Sequence, residues 1–186
     1  MMPILITGLS GSGKSTLAKK LQEKFKFENS CEIIHCDSYR HSDGWVERPF
    51  CDFRNDIMIA VGDSIGEFII EGIPNESTDP EDERFEFTKE LSTCVKKVII
   101  IKEVGLQKQL EVLISRSIDR AKDPENSGAD FVETPESVAV LLLNTMKLYD
   151  DNVKKMEYLH DYCAENDIDV LYESLSKIYE KYEISF

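Results

Sequence analysis

Apolar positions along the chain fall into two kinds of pattern, short unbroken runs and longer stripes of helical spacing, and the two alternate. The runs PILIT (3–7), CEIIHC (31–36), EFIIEG (67–72) and KKVIIIK (96–102) are brief and rich in β-branched residues, as buried strands are. DVLYE (169–173) reads as a last strand, followed by a short amphipathic tail. Four stripes recur at steps of three and four and predict helices: Leu17, Ala18, Leu21 and Phe25; then Phe53, Ile57, Ala60, Val61 and Ile65; then Leu106, Leu110, Leu113, Ile114 and Ile118; and last Val138, Leu141, Leu142, Tyr149, Val153, Met156 and Cys163, which continue to about Asn166. The last begins well, with Thr134 as N-cap and Pro135 at the first helical position. IPNESTDPEDERFEF (73–87) is acidic and turn-rich and predicts a surface loop or insertion; residues 121–135 have the composition of a mobile loop.

Strands alternating with helices predict an α/β domain in three layers, with a parallel sheet of about five strands, helices on both faces and ligands at the carboxyl ends of the strands. The length of 186 residues suits one domain over 1–186, and no repeat or linker divides it. At 41% hydrophobic and 31% charged, the chain can bury a core and keep a soluble surface. No apolar run approaches the roughly 20 residues of a membrane span, and nothing at the N-terminus marks export. The five cysteines, Cys31, Cys36, Cys51, Cys94 and Cys163, are odd in number and form no C-x-x-C pair, which favours reduced, mostly buried thiols in a cytoplasmic protein. The formal net charge of −14 argues against a nucleic-acid backbone as partner and for a small, enclosed anionic ligand meeting a locally positive pocket.

That pocket has a candidate. Gly8-Leu-Ser-Gly-Ser-Gly13-Lys14-Ser15 matches G-x-x-x-x-G-K-[ST] between a predicted strand and a predicted helix. Glycines at Gly8, Gly11 and Gly13 let backbone N–H groups, with those of Ser10, Ser12 and Thr16, curl toward phosphate oxygens, and the helix start adds its dipole. Lys14 is expected to reach the β- and γ-phosphates and Ser15 to ligate Mg²⁺. No Asn-Lys-x-Asp guanine signature accompanies the loop, which argues against a GTPase, and ATP is taken as the default donor.

Asp37 follows the second strand and Glu71 ends the third, so both are expected at the carboxyl edge of the sheet beside the phosphate loop. Phosphoryl transfer to a hydroxyl needs one carboxylate to accept the proton, here Asp37, and one on the metal side, here Glu71. With these residues the chain resembles the uridine kinase and nicotinamide riboside kinase group. The resemblance rests on the phosphate loop, on IIEGI (69–73), on Asp37-Ser38-Tyr39 after strand two, on WVERPF, where Glu47 stands in place of that group's Asp, and on LISRSIDRAK (113–122), similar to the group's lid helix. It covers residues 4–122 patchily. It implies a small-molecule kinase with a helical lid over about 116–134, Asp37 as base, Glu47 as a sugar contact, and Arg116 and Arg120 as lid cations on the phosphates.

Arg116 and Arg120 are four residues apart and so share a helix face, opposite or flanking the leucine stripe. Their guanidinium groups suit the charge that builds on a transferring phosphoryl group. DSYRHSDGWVERPF (37–50) concentrates Tyr39 and Trp45, which could stack on a planar base, with Arg40 and Arg48, which could grip a hydroxyl or a phosphate. If Arg48 binds a phosphate already on the acceptor, the acceptor is a monophosphate. The expectation is therefore ATP- and Mg²⁺-dependent phosphorylation of a small nucleoside-like metabolite. A nucleoside monophosphate kinase or polynucleotide 5′-kinase is the alternative within the same class, and a non-catalytic nucleotide-binding regulator the alternative outside it.

Overall fold

In the computed structural model, which describes residues 3–25, 31–42, 46–64, 66–72, 83–122 and 134–185 (without the side chains of 41, 42, 46 and 47), the apolar runs pair into one parallel sheet. Its strands are β1 (Ile4–Gly8), β2 (Glu32–His35), β5 (Phe68–Glu71), β6 (Lys97–Ile101) and β7 (Asp169–Glu173), in the spatial order β2-β5-β1-β6-β7. A two-stranded hairpin, β3 (His41–Ser42) with β4 (Val46–Glu47), stands apart from it. The expected five strands are all present.

Side chains on a strand alternate between the two faces of a sheet, and two separate cores result. Leu5, Ile34, Phe68, Ile70, Val98 and Ile100 face one way, covered by α3 (Phe50–Asp63), α4 (Glu83–Thr93) and the second half of α6 (Pro135–Glu165) through Phe53, Ile57, Phe87, Leu91, Met156 and Leu159. Ile4, Ile6, Ile69, Ile99 and Ile101 face the other way, covered by α1 (Lys14–Phe25) and α7 (Leu175–Lys181) through Leu17, Ala18, Leu21, Ile178 and Tyr179. This is the three-layer α/β arrangement expected from the sequence.

Thr134 caps α6 as expected: Ser137 N–H donates to Thr134 Oγ1 at 3.2 Å, and Thr134 N–H donates back to Ser137 Oγ at 3.0 Å. Among the described residues all five cysteines are free thiols; Cys31, Cys36 and Cys163 are buried, whereas Cys51 is exposed. No helix among the described residues is long and apolar enough to cross a membrane.

Three expectations need correction. Glu83–Phe87, read as loop, begins helix α4, because Phe85, Phe87 and Leu91 find a core face that an acidic composition hides. Residues 73–82 of that predicted loop, together with Ile65 and residues 123–133, lie outside the described set. The stretch after β2 is not an open loop but a short helix, α2 (Cys36–Arg40), followed by the hairpin. In α5 (Leu106–Lys122), the buried face carries Gln109, Leu113 and Ser117, leaving Ile114 and Ile118 of the apolar stripe exposed.

Phe53→Ala should lower stability by about 3–5 kcal/mol, the cost of a buried aromatic truncation. Leu143→Ala, at a position 64% exposed, should stay within about 0.5 kcal/mol. Urea midpoints of the two variants check the assignment of core and surface.

Candidate active site

Period two decides which residues meet. On β5, Ile69 and Glu71 point to the α1 face, and α1 begins with Lys14 and Ser15 directly after the phosphate loop. Glu71 Oε1 accepts a hydrogen bond from Ser15 Oγ at 2.9 Å. Glu71 is in register with His35 on the neighbouring strand β2, and His35 Nδ1 lies 2.8 Å from Glu71 Oε2. Both oxygens of a side chain only 6% exposed are thereby engaged, as a buried carboxylate requires.

Asp37 sits in the first turn of α2, two residues beyond the end of β2. Its carboxylate lies against Gly72, the residue after Glu71, where a β-carbon would stand 3.7 Å from Asp37 Oδ2. The two carboxylates therefore share one corner at the carboxyl edge of the sheet. Cys36, fully buried in the core beside them, has its thiol pushed well above the usual range, first by burial and then by Asp37 and Glu71. It stays protonated and offers no nucleophile.

The phosphate loop runs from Gly8 to Ser15. Lys14 Nζ donates to Leu9 O at 3.0 Å, folding its side chain back over the loop. Ser12 N–H also donates to Leu9 O, at 3.1 Å, closing a tight turn over Ser10 and Gly11. Gly11 has φ of +78°, and a β-carbon there would lie 3.3 Å from Val112 and 3.4 Å from Leu113 on α5. Ser12 Oγ is buried with no partner among the described residues. Thr16 lies one residue further along α1, exposed.

The remaining predicted residues divide. Tyr39, on α2, is half-buried against the core, with its hydroxyl pKa raised by burial and then by Glu32. Arg48 Nη1 donates to Tyr39 O at 3.0 Å and its Nη2 pairs with Asp56 at 2.7 Å, so this guanidinium ties α2 to α3. Arg40 is half-buried at the end of α2. Glu47 is placed by its backbone on β4, with its side chain outside the description, and Trp45 lies outside the described residues. Arg116 is exposed and Arg120 half-buried on α5. They follow Gln109 and Leu113 on one helix face by the 3.6-residue period.

Two residues of the site carried no motif signal. His35 looked like an interior strand position until the β2–β5 register placed it beside Glu71. Gln109, 99 residues from the phosphate loop, donates through Nε2 to Ser10 O at 2.9 Å. A separate cleft of about 410 Å³ between α3 and α4 includes none of these residues. Arg54 and Glu90 line it and are joined by a bidentate ion pair.

The donor set suits magnesium. Ser15 Oγ and Glu71 Oε1 are hard oxygen ligands already side by side, and Mg²⁺ is ordinarily held by one or two protein oxygens plus phosphates and water. Among the described residues no group of three or more His, Cys, Asp or Glu side chains forms a metal cage.

No family model matches the chain, and no curated protein matches it. A solved structure of deoxyadenosine kinase from M. mycoides, with products dCMP and a flexible dCDP bound, aligns with 88% of this chain and 99% of that one. The identity is 14% and the TM-score 0.36, a likeness too loose to carry an argument.

Gly11→Ala tests the loop directly. A side chain at φ +78°, pressed on Val112 and Leu113, should cost about 1–2 kcal/mol. Gly62→Ala, in the exposed part of α3 with nothing within 4 Å of a β-carbon, should be neutral or stabilising by up to about 1 kcal/mol. Thermal midpoints distinguish the two.

Proposed function

We propose that this chain is an ATP- and Mg²⁺-dependent kinase that transfers the terminal phosphoryl group to a hydroxyl of a small, nucleoside-like metabolite. What supports the reading most is one contact: Ser15 of the phosphate loop meets Glu71 at 2.9 Å across 56 residues of sequence, with Asp37 against the next residue, Gly72. A phosphate cradle beside two carboxylates is the arrangement phosphoryl transfer requires, whereas a protein that only binds nucleotide needs no base.

In this reading the loop from Gly8 to Thr16 holds the triphosphate through backbone N–H groups, and Lys14 swings from Leu9 O onto the β- and γ-phosphates. Ser15, and Glu71 through water, would hold Mg²⁺, which supplies charge neutralisation on the terminal phosphates. Asp37 orients the acceptor hydroxyl and takes its proton as the new O–P bond forms. The bond from the γ-phosphorus to the β,γ-bridging oxygen breaks, and ADP leaves with that electron pair. Arg116 and Arg120 offset the charge spread over the transferring oxygens, and closure of the lid keeps water from acting as acceptor. Tyr39, Trp45, Arg40 and Glu47 are the proposed acceptor contacts.

The monophosphate-kinase alternative leaned on Arg48, whose terminal nitrogens are taken up by Tyr39 O and Asp56. A polynucleotide acceptor is disfavoured by the net charge of −14. A nucleoside acceptor is the simpler reading.

The test is ATP consumption against a panel of nucleosides, nucleoside monophosphates and short oligonucleotides. Asp37→Ala should lower kcat by about 10²–10⁴-fold, the usual worth of a general base, with the KM for ATP little changed. Turnover at the wild-type rate would remove Asp37 from the mechanism. Glu71→Gln should raise the Mg²⁺ concentration needed for half-maximal activity by about 10–100-fold. Failure of the wild-type protein to consume ATP with every acceptor would favour the regulator reading.

A further inference from the structure

The phosphate loop opens with a four-residue turn from Leu9 to Ser12, closed by the Ser12 N–H to Leu9 O bond of 3.1 Å. Its third residue, Gly11, has φ of +78°, the positive value that a type II turn demands at that place. Types I and II differ chiefly in how the central peptide is turned, here the peptide between Ser10 and Gly11. That peptide is planar and trans, so its carbonyl and its N–H point in opposite directions. Whatever holds the Ser10 carbonyl also aims the Gly11 N–H.

Gln109 holds it. The side chain reaches from the first turn of α5 and donates Nε2–H to Ser10 O at 2.9 Å. It is 7% exposed, and its own Oε1 is buried with no partner among the described residues. A buried acceptor left without a partner costs more than one neutral hydrogen bond returns. Packing alone would therefore favour Leu or Met at this position. Val112 and Leu113 press on Gly11 from the same helix, so α5 meets the loop through one polar contact set among apolar ones.

We propose that Gln109 is a positioning residue for the phosphate loop. Its amide holds the Ser10 carbonyl on the α5 side, so that the Gly11 N–H is presented on the opposite side as a donor to a nucleotide phosphate. Arg116 and Arg120 lie further along the same face of α5, about 10 and 16 Å on by helical rise, so the contact also anchors the lid cations to the cradle they serve. This inference rests on the nucleotide-binding reading above.

The experiment compares the wild-type chain with Gln109→Met and Gln109→Glu, variants of nearly the same size. Binding of metal-free tripolyphosphate is measured by calorimetry, unliganded melting by circular dichroism, and ATP kinetics with the best acceptor. Gln109→Met should bind tripolyphosphate about tenfold more weakly, on the scale of one lost hydrogen bond, with an unliganded melting temperature no lower than wild type. Its KM for ATP should rise with kcat little changed. Gln109→Glu should bind more weakly still, because a carboxylate would repel the Ser10 carbonyl instead of donating to it and would add negative charge behind the phosphate site. Equal tripolyphosphate affinity in Gln109→Met and wild type would overturn the proposal. A measurement without any substitution guards against misfolded variants: the amide resonance of Gly11 in the wild-type chain should shift on adding tripolyphosphate, and an unmoved resonance also overturns it. Wild type that binds neither tripolyphosphate nor ATP sinks the nucleotide reading and this inference together. Wild type that binds both while Gln109→Met matches it sinks only the role of Gln109.

Discussion

The register of three parallel strands is the constraint on which the site depends. β5 lies between β2 and β1, pairing Glu71 with His35 on one side and with Ile6 on the other. Because side chains alternate, this register sends Glu71 and His35 to the face that α1 covers, where Ser15 waits at the helix start. A slip of one residue would turn Glu71 to the opposite face, toward Phe53 and Phe87. What opposes that slip is Glu71 itself: it would leave Ser15 and His35 and be buried, unpaired, in the apolar core. Core packing and site geometry are thus the same specification.

The corner so formed is negative, in a protein already carrying a net charge of −14. Burial raises the Cys36 thiol first, and the neighbouring carboxylates Asp37 and Glu71 raise it further. In the proposed reading, a polyanionic ligand there would be met by Lys14, the N–H groups of the loop, the arginines of α5 and a divalent cation held by Ser15 and Glu71. Dependence on several cations held by different elements makes occupancy sensitive to how those elements are arranged, since each contributes only when in place.

The arrangement is governed from α5. Its first turns pack on the phosphate loop through Gln109, Val112 and Leu113, and the same face continues to Arg116 and Arg120. α6, stopped at its N-terminus by the Thr134–Ser137 box, buries no residue completely before Leu148. Its second half belongs to the core and its first half accompanies α5. The helical pair is therefore anchored to the core through the second half of α6 and the first turns of α5.

Much of this was legible from local pattern. The five strands, the helices over α1, α3, α5 and α6, the Thr134 cap and the phosphate loop follow from periodicity, capping chemistry and a motif whose spacing has a mechanical cause. Asp37 and Glu71 could be assigned to one edge because parallel strands put all their carboxyl ends together. The pattern misled where composition and burial part company: Glu83–Phe87 is acidic yet starts a helix on Phe85 and Phe87, and Ile114 and Ile118 are apolar yet exposed. His35 beside Glu71, Arg48 on Asp56 and Gln109 on Ser10 O could be found only in three dimensions. The chain by itself determined most of the elements and the edge of the sheet at which Asp37 and Glu71 gather, because hydrogen-bonded periodicity is a local property. Tertiary structure alone decided which side chains touch, because strand register and helix rotation are selected by the whole core at once.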